Sequence, residues 1–200
     1  MEKLLKLAAI CLLSCLFVNC SKSTTNKSLS IPYPPNPGQL TTISQLDLTT
    51  QIRLNLGYTF GLYVDSAEYG LPDDSINYVD SYSSFYWNSF QNLHLIYQVN
   101  STSCIDFAGL YSVFSSVEAS NNRGENLRLA IGMMVVQQKN SALGVNGDNS
   151  GKLYHAVNIF LTKNLKTGEA IIYVVEPQTE IKCRLSDYSN RNEIQRIEFF

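Results

Sequence analysis

One segment of this chain reads as a helix, and nearly everything after it reads as short strands; that order limits the fold more than any other feature. Ser101 to Val117 places Ile105, Ala108, Leu110, Val113, Phe114 and Val117 at mostly helical spacing. Ser101, Thr102 or Ser103 can cap its start, and Asp106 falls in the first turn, where the helix dipole favours a negative charge. Asn121-Asn122-Arg123-Gly124 ends it. Beyond it come a long apolar run, Leu127 to Gln138, then His155 to Thr162 and Glu169 to Val175, joined by the turn sequence Asn164-Leu165-Lys166-Thr167-Gly168. Ile181 to Leu185 and Arg196 to Phe200 complete the set. A helix followed by strands with short connections predicts an α+β domain with the helix packed on an antiparallel sheet.

The region before that helix is less regular. Thr50 to Leu54 and Tyr58 to Phe60 read as strand pieces interrupted by Gly57 and Gly61. Pro72 to Ser84 is polar and acidic and reads as a surface loop. Hydrophobic residues make up 44% of the chain, enough for a sizeable core. The formal net charge of −2 comes with no basic patch, which argues against a nucleic-acid partner.

The N-terminus is organised differently. Met1 to Lys6 carries two lysines, Leu7 to Val18 is apolar, and Leu16-Phe17-Val18-Asn19-Cys20 follows. A basic start, a short apolar core and a processing site make a secretory signal, and the apolar run is too short for the roughly 20 residues that cross a bilayer. Leu16 to Cys20 resembles a lipobox, which implies that residues 1–19 are removed and that Cys20 carries the lipid, including palmitate. An ordinary signal peptide cut nearby is the alternative. Residues 20–45 read as a tether rich in Ser, Thr, Asn and Pro, a composition that buries too little apolar area to order itself. The folded domain is expected over 46–200. These features imply a lipid-anchored envelope protein, at the outer membrane or cell surface, with membrane lipid as one partner through acylated Cys20.

Removal of Cys11 and Cys15 with the signal, and lipidation of Cys20, leaves Cys104 and Cys183 in the domain. Cys104 falls at the expected helix start, where outward-pointing N–H groups and the positive dipole end favour a thiolate. His155 opens an apolar strand and Glu176 ends its hairpin partner, so the hairpin brings them side by side. An imidazole oriented by a carboxylate can take the thiol proton and later donate one to a leaving group. Gln98, a little upstream of Cys104, is a candidate to stabilise a developing oxyanion together with the Cys104 N–H. Asn158 and Gln178 are supporting candidates, which can equally serve to satisfy backbone groups. A Cys104–Cys183 disulfide is the competing arrangement in an exported chain, and it would exclude a nucleophilic Cys104. His94 stands in no motif and reads as structural. Asn146 to Gly151 resembles a fragment of a calcium loop but lacks its downstream glutamate.

A cysteine at a helix start, a glutamine before it and a later histidine on a strand resemble the papain-like cysteine peptidase and transglutaminase arrangement. Cys104-Ile105-Asp106-Phe107-Ala108, His155-Ala156-Val157-Asn158 and Glu176-Pro177-Gln178-Thr179 look more like one branch. That branch contains the C-terminal domain of a mushroom agglutinin and related lectin-like domains. Ile105 stands where papain-like enzymes often carry tryptophan. The resemblance covers Gln98 to Thr179. It implies a papain-like domain with Cys104 as nucleophile, His155 as base, Glu176 as orienter and Gln98 as oxyanion donor. It implies no metal and no cofactor, and a peptide, protein or glycan ligand. A non-catalytic lectin-like or adhesin-like module on the same fold is the alternative.

Overall fold

A computed structural model of the chain describes residues 34–92, 103–122, 127–150 and 152–200. Residues 1–33, and with them Cys11, Cys15, the expected lipidation site Cys20 and most of the expected tether, lie outside the described residues, as do His94 and Gln98. The described residues belong to one compact unit, Pro32–Phe200. It is an α+β arrangement of three helices and two sheets.

The fold starts earlier than composition suggests. Strand β1 (Leu40–Ile43) lies inside the segment read as tether, and pairs antiparallel with β3 (Glu68–Pro72). Backbone pairing explains this: a strand flanked by Pro and Ser is ordered by a neighbour that the local sequence does not reveal.

Helix α1 (Gln45–Leu56) replaces the expected strand pieces of Thr50 to Leu54. The β-branched residues there favour strand, but the ends favour helix. Ser44 caps the start: its Oγ accepts from the Asp47 N–H (3.1 Å) and donates to the Asp47 carboxylate (2.7 Å). Gly57, at φ 79°, closes the other end by donating its N–H to the Arg53 carbonyl at 2.8 Å. Leu48 and Ile52, one turn apart, are fully buried.

The expected loop at Pro72 to Ser84 is corrected as well. Asp73 caps a short 3-10 turn (Asp74–Ile76), Asn77 takes a left-handed φ of 51°, and helix α2 (Tyr78–Asn92) follows. Tyr78, Tyr82, Tyr86 and Phe90 recur every four residues and are buried. Helix α3 (Cys104–Asn122) is the helix expected from the sequence. Its start is fastened by Asp106, whose Oδ2 accepts from the Ser103 N–H (2.7 Å) and hydroxyl (2.9 Å).

The remaining strands are β2 (Gly61–Val64), β4 (Leu127–Leu129), β5 (Ile131–Gln137), β6 (Tyr154–Lys163), β7 (Ala170–Val175), β8 (Lys182–Arg184) and β9 (Ile194–Phe199). The smaller sheet runs β1-β3-β4; the larger runs β2-β9-β5-β6-β7-β8. The expected all-antiparallel sheet is corrected at two places, since β2 pairs parallel with β9 and β3 parallel with β4. Both pairs join segments far apart in sequence, which tight turns cannot connect. The Asn164 turn does join β6 to β7: Asn164 N–H donates to Glu169 O (2.8 Å) and Gly168 N–H to Asn164 O (2.7 Å).

The larger sheet is covered on both faces. On one, Leu48 and Ile52 of α1 pack with Met134, Val136, Val157, Ile159, Val174 and Phe199. On the other, the rings of α2 and α3 pack with Ile131, Phe160 and Val175. Double cover explains why Ala156 to Thr162 of the central strand β6 are buried without alternation. Each large apolar side chain so buried contributes about 1.5–3 kcal/mol. Tyrosine hydroxyls in the second layer keep partners: Tyr82 donates to Tyr111 O and Tyr86 to Phe107 O, each at 2.8 Å. Those two bonds lock α2 to the first half of α3 and so hold the helix that begins at Cys104.

Candidate functional site

Helix α3 presents Cys104 as its first residue. The N–H groups of a first turn have no intrahelical acceptor, so the thiol sits at the positive end of the helix. The Cys104 side chain rests against a small apolar cluster of Ala108, Met133 and Ala156. Strand β6 brings His155 to it. Pairing of β6 with β7 ends at Asn158↔Val175, so the Ala156 N–H has no ladder partner on that side. It stands near the Cys104 sulfur and favours its thiolate form.

His155 is the link in this arrangement. Its Nε2 lies 2.5 Å from Glu176 Oε2, and its ring is near enough to Cys104 for each group to shift the protonation of the other. With Nε2 committed to the carboxylate, Nδ1 is the ring nitrogen left for the thiol. His155 and Glu176 are not directly opposite on the ladder; they meet diagonally just beyond its last pair. Glu176 is fully buried. Its second oxygen, Oε1, accepts the Gln178 N–H at 3.1 Å, and its own N–H donates to Ile181 O at 2.9 Å. The carboxylate is thus held from both sides while it orients the imidazole.

Electrostatics follow from this geometry. Burial opposes charge on Cys104, but the hydrogen bonds from His155 and from the Ala156 N–H, with the imidazolium charge, outweigh it and hold the thiol below its ordinary value. Burial likewise opposes charge on His155. The hydrogen bonds to Cys104 and Glu176 and their negative charges overcome it and raise the imidazole well above its ordinary value. A thiol pulled down and an imidazole pushed up favour a thiolate–imidazolium pair.

The two supporting candidates differ. Asn158 is fully buried, and its Nδ2 donates to Ala108 O (2.9 Å), Ser112 Oγ (3.0 Å) and Gly132 O (3.2 Å). It ties α3 to β5 and β6 and contacts neither reacting group. Gln178 contributes its backbone N–H to Glu176, while its buried side-chain Nε2 has no hydrogen-bond partner among the described residues. The candidate oxyanion donor Gln98 lies outside the described residues. The role Asn158 plays has no local sequence signal, because its three acceptors come from two other elements.

The competing Cys104–Cys183 bridge is not formed; both thiols are free. Cys183, on β8, pairs with Val174 of β7 and packs against the α1-side core, where burial pushes its thiol up. Asp148, in the loop resembling a calcium-site fragment, turns both carboxylate oxygens to Ser150, at 2.9 Å to the N–H and 2.6 Å to the hydroxyl. Among the described residues, no group of three His, Cys, Asp or Glu side chains stands ready to hold a metal ion. None of the described helices is long and apolar enough to cross a membrane.

No protein-family model matches the chain, and no curated protein matches it. Solved structures do. One, described as a PSL1a–E64 complex, is 17% identical with a TM-score of 0.53, covering 79% of this chain and 50% of that one. Another is a Polyporus squamosus lectin bound to the human-type influenza-binding epitope Neu5Aca2-6Galb1-4GlcNAc, 16% identical with a TM-score of 0.54, covering 79% of this chain and 49% of that one. The chain therefore spans about half the length of these structures. At this identity the likeness is one of fold: the described domain has an α+β fold found in part of these two chains.

Proposed function

We propose that the domain is a papain-like, cysteine-dependent acyl-transfer module acting as a peptidase, amidase or transglutaminase. The observation that carries this reading is the buried His155–Glu176 contact beside Cys104, with the thiol lowered and the imidazole raised. In the reaction, the Cys104 thiolate attacks a carbonyl carbon and forms a tetrahedral intermediate. The His155 imidazolium then gives its proton to the departing amine or alcohol as the carbonyl–leaving-group bond breaks. A thioester on Cys104 remains. Water, deprotonated by neutral His155, hydrolyses it to the acid; an amine attacking in its place gives transamidation. The Cys104 N–H and the Gln98 amide are the donors assigned to the oxyanion.

The test is alkylation of protein starting after Cys20 with iodoacetamide at pH 6 and pH 8, followed by peptide mapping. Rapid modification of Cys104 at pH 6, lost in His155→Ala, is the expected result. Modification of Cys104 no faster than a free thiol at both pH values would overturn the reading.

The neighbours favour a second reading. One of them is a lectin that holds a sialylated glycan. On this reading the domain binds a glycan without chemistry. Glycan binding by the Cys104→Ala variant at full strength, together with no substrate turnover by the unmodified protein, would favour it.

The N-terminal pattern supports a further proposal: export, cleavage before Cys20 and acylation of Cys20 anchor the domain to the cell envelope by lipid. Metabolic labelling with a palmitate analogue tests it. Incorporation that persists in Cys20→Ser would end it.

A further inference from the structure

The pattern Ser-x-x-Asp stands at the start of two helices, as Ser44 to Asp47 and as Ser103 to Asp106, and the two copies are used differently. Before α1, Ser44 places its oxygen over the helix end: Oγ accepts the Asp47 N–H at 3.1 Å while the hydroxyl donates to Asp47 Oδ2 at 2.7 Å. A serine in this place ordinarily does so, because the first N–H groups of a helix lack intrahelical acceptors. Before α3, the carboxylate takes over. Asp106 Oδ2 accepts both the Ser103 N–H (2.7 Å) and the Ser103 hydroxyl (2.9 Å). Among the described residues, Ser103 Oγ accepts no N–H of the first turn, and the N–H groups of Cys104, Ile105 and Asp106 meet no acceptor.

This second helix start carries the reacting thiol. A carbonyl attacked by the Cys104 sulfur develops a negative oxygen beside the first turn of α3, and the Cys104 N–H is a donor assigned to it. A serine oxygen capping that turn would spend the Ile105 or Asp106 N–H and set its own lone pairs beside the developing charge. Asp106 prevents this by engaging the hydroxyl itself. A charge-assisted hydrogen bond is stronger than a neutral one, and the second bond, from the Ser103 backbone N–H, fixes the carboxylate in place. Phe107 N–H, next along the chain, donates to Ser103 O at 3.1 Å, so the helix begins regularly although its serine leaves the end open.

We propose that Asp106 is a positioning residue for acyl transfer at Cys104: it holds the Ser103 hydroxyl off the first turn of α3 and so keeps that end of the helix free for an oxyanion. The proposal deepens the acyl-transfer reading of this site and rests on it. Asp106 acts through Ser103 rather than on the reacting atoms, and its effect is confined to reactions that pass through an oxyanion. Attack of the thiolate on p-nitrophenyl acetate is one. Sulfur bonds to the acetyl carbon and the carbonyl oxygen takes the electron pair. The carbon–oxygen bond to p-nitrophenolate then breaks, p-nitrophenolate leaves with that bonding pair, and an acetyl thioester remains on Cys104. Displacement of iodide from iodoacetamide uses the same thiolate at a saturated carbon and forms no oxyanion.

The experiment measures both rates on the soluble chain after Cys20: the p-nitrophenolate burst, with the acetyl group located by peptide mapping, and iodoacetamide alkylation of Cys104 at pH 8. In Asp106→Ala the ratio of acylation to alkylation is expected to fall by about tenfold, less than the roughly 10²–10³ that follows outright loss of an oxyanion donor, because the donors are covered and not removed. Adding Ser103→Ala takes away the hydroxyl that would cover them, so the double variant should recover most of the ratio. A role confined to helix capping predicts the opposite, since the double variant lacks both halves of the cap. A double variant as slow as Asp106→Ala would therefore overturn the proposal, and so would an unchanged ratio in Asp106→Ala. Asp106 is exposed, and circular dichroism reports that each variant is folded. Acylation of the parent protein no faster than that of His155→Ala would end the acyl-transfer reading itself, and this proposal with it.

Discussion

Asn158, three residues after His155 on β6, donates a hydrogen bond at 2.9 Å to the carbonyl of Ala108, one helical turn beyond Cys104. The same Nδ2 reaches Ser112 Oγ and Gly132 O. One buried amide therefore sets the height of the nucleophile helix over the histidine strand. Asn158→Leu should lose about 1–3 kcal/mol in urea denaturation, the cost of leaving buried acceptors unmatched. Asn158→Asp should lose more, because a carboxylate would face three oxygens and bury a charge. Both should slow alkylation of Cys104 at pH 6. A variant with unchanged stability and unchanged alkylation would show that the helix needs no such tie.

Glu176→Gln keeps the shape of the side chain and removes its charge. Glu176 helps hold His155 above its ordinary value, by hydrogen bond and by charge. In the variant the imidazole should lose its proton at lower pH, and the thiolate at Cys104 should lose its counter-ion. The expected result is a fall of about tenfold or more in the pH 6 alkylation rate, since one pKa unit changes a charged fraction by up to tenfold. An unchanged rate would separate Glu176 from the relay.

The paired shifts define a pH window. For His155, raised on folding, the stabilisation is fully present below the ordinary imidazole value of about 6.5 and disappears as pH rises through its folded value. For Cys104, depressed on folding, it is present above the free-thiol value of about 8.5 and disappears as pH falls through its lowered value. The charged pair exists between the two folded-state values. Nitrogen NMR of the His155 ring should show its midpoint move down in Cys104→Ser, which removes the thiolate. A midpoint that stays in place would mean that the two groups titrate independently.

Gly132→Ala should destabilise the sheet. A Cβ there would meet the Glu198 carbonyl oxygen at 2.9 Å and the Phe199 ring at 3.0 Å. The oxygen belongs to the neighbouring strand backbone, so relief requires β5 and β9 to separate. The expected loss is about 1–3 kcal/mol by chemical denaturation; unchanged stability would show that the two strands have room for the methyl group.

Local patterns in the sequence carried the hairpin of β6 and β7 and the start of α3. Turn residues from Asn164 to Gly168 and a capped apolar stripe are signals that act over a few residues, and the meeting of His155 with Glu176 follows from the first of them. Helix α1 was hidden by Thr49, Thr50 and Ile52, whose branching favours strand, although Ser44 with Asp47 and Leu48 with Ile52 carried the helical signal. Helix α2 was hidden by chemistry: its buried face is built from tyrosines, whose hydroxyls look like surface until Tyr111 and Phe107 are seen to accept them. The parallel pairs β2–β9 and β3–β4, and the three acceptors of Asn158, are joined only by tertiary packing, and no short window of sequence contains both partners.

The place of β9 in the larger sheet sets the order in which this domain can assemble. Ile194–Phe199 is the latest of the described strands to leave the ribosome, yet it lies between β2 and β5. Until it arrives, β2 has no sheet to join and β5 shows an open apolar edge from Met133 to Val136. Pairings this distant in sequence slow folding, because the connecting chain must close a long loop before any contact forms. Completion of the larger sheet is therefore held back until Ile194–Phe199 has been made. A nascent chain halted ahead of Ile194 would be an adhesive intermediate, inclined to pair its bare edge with a neighbour.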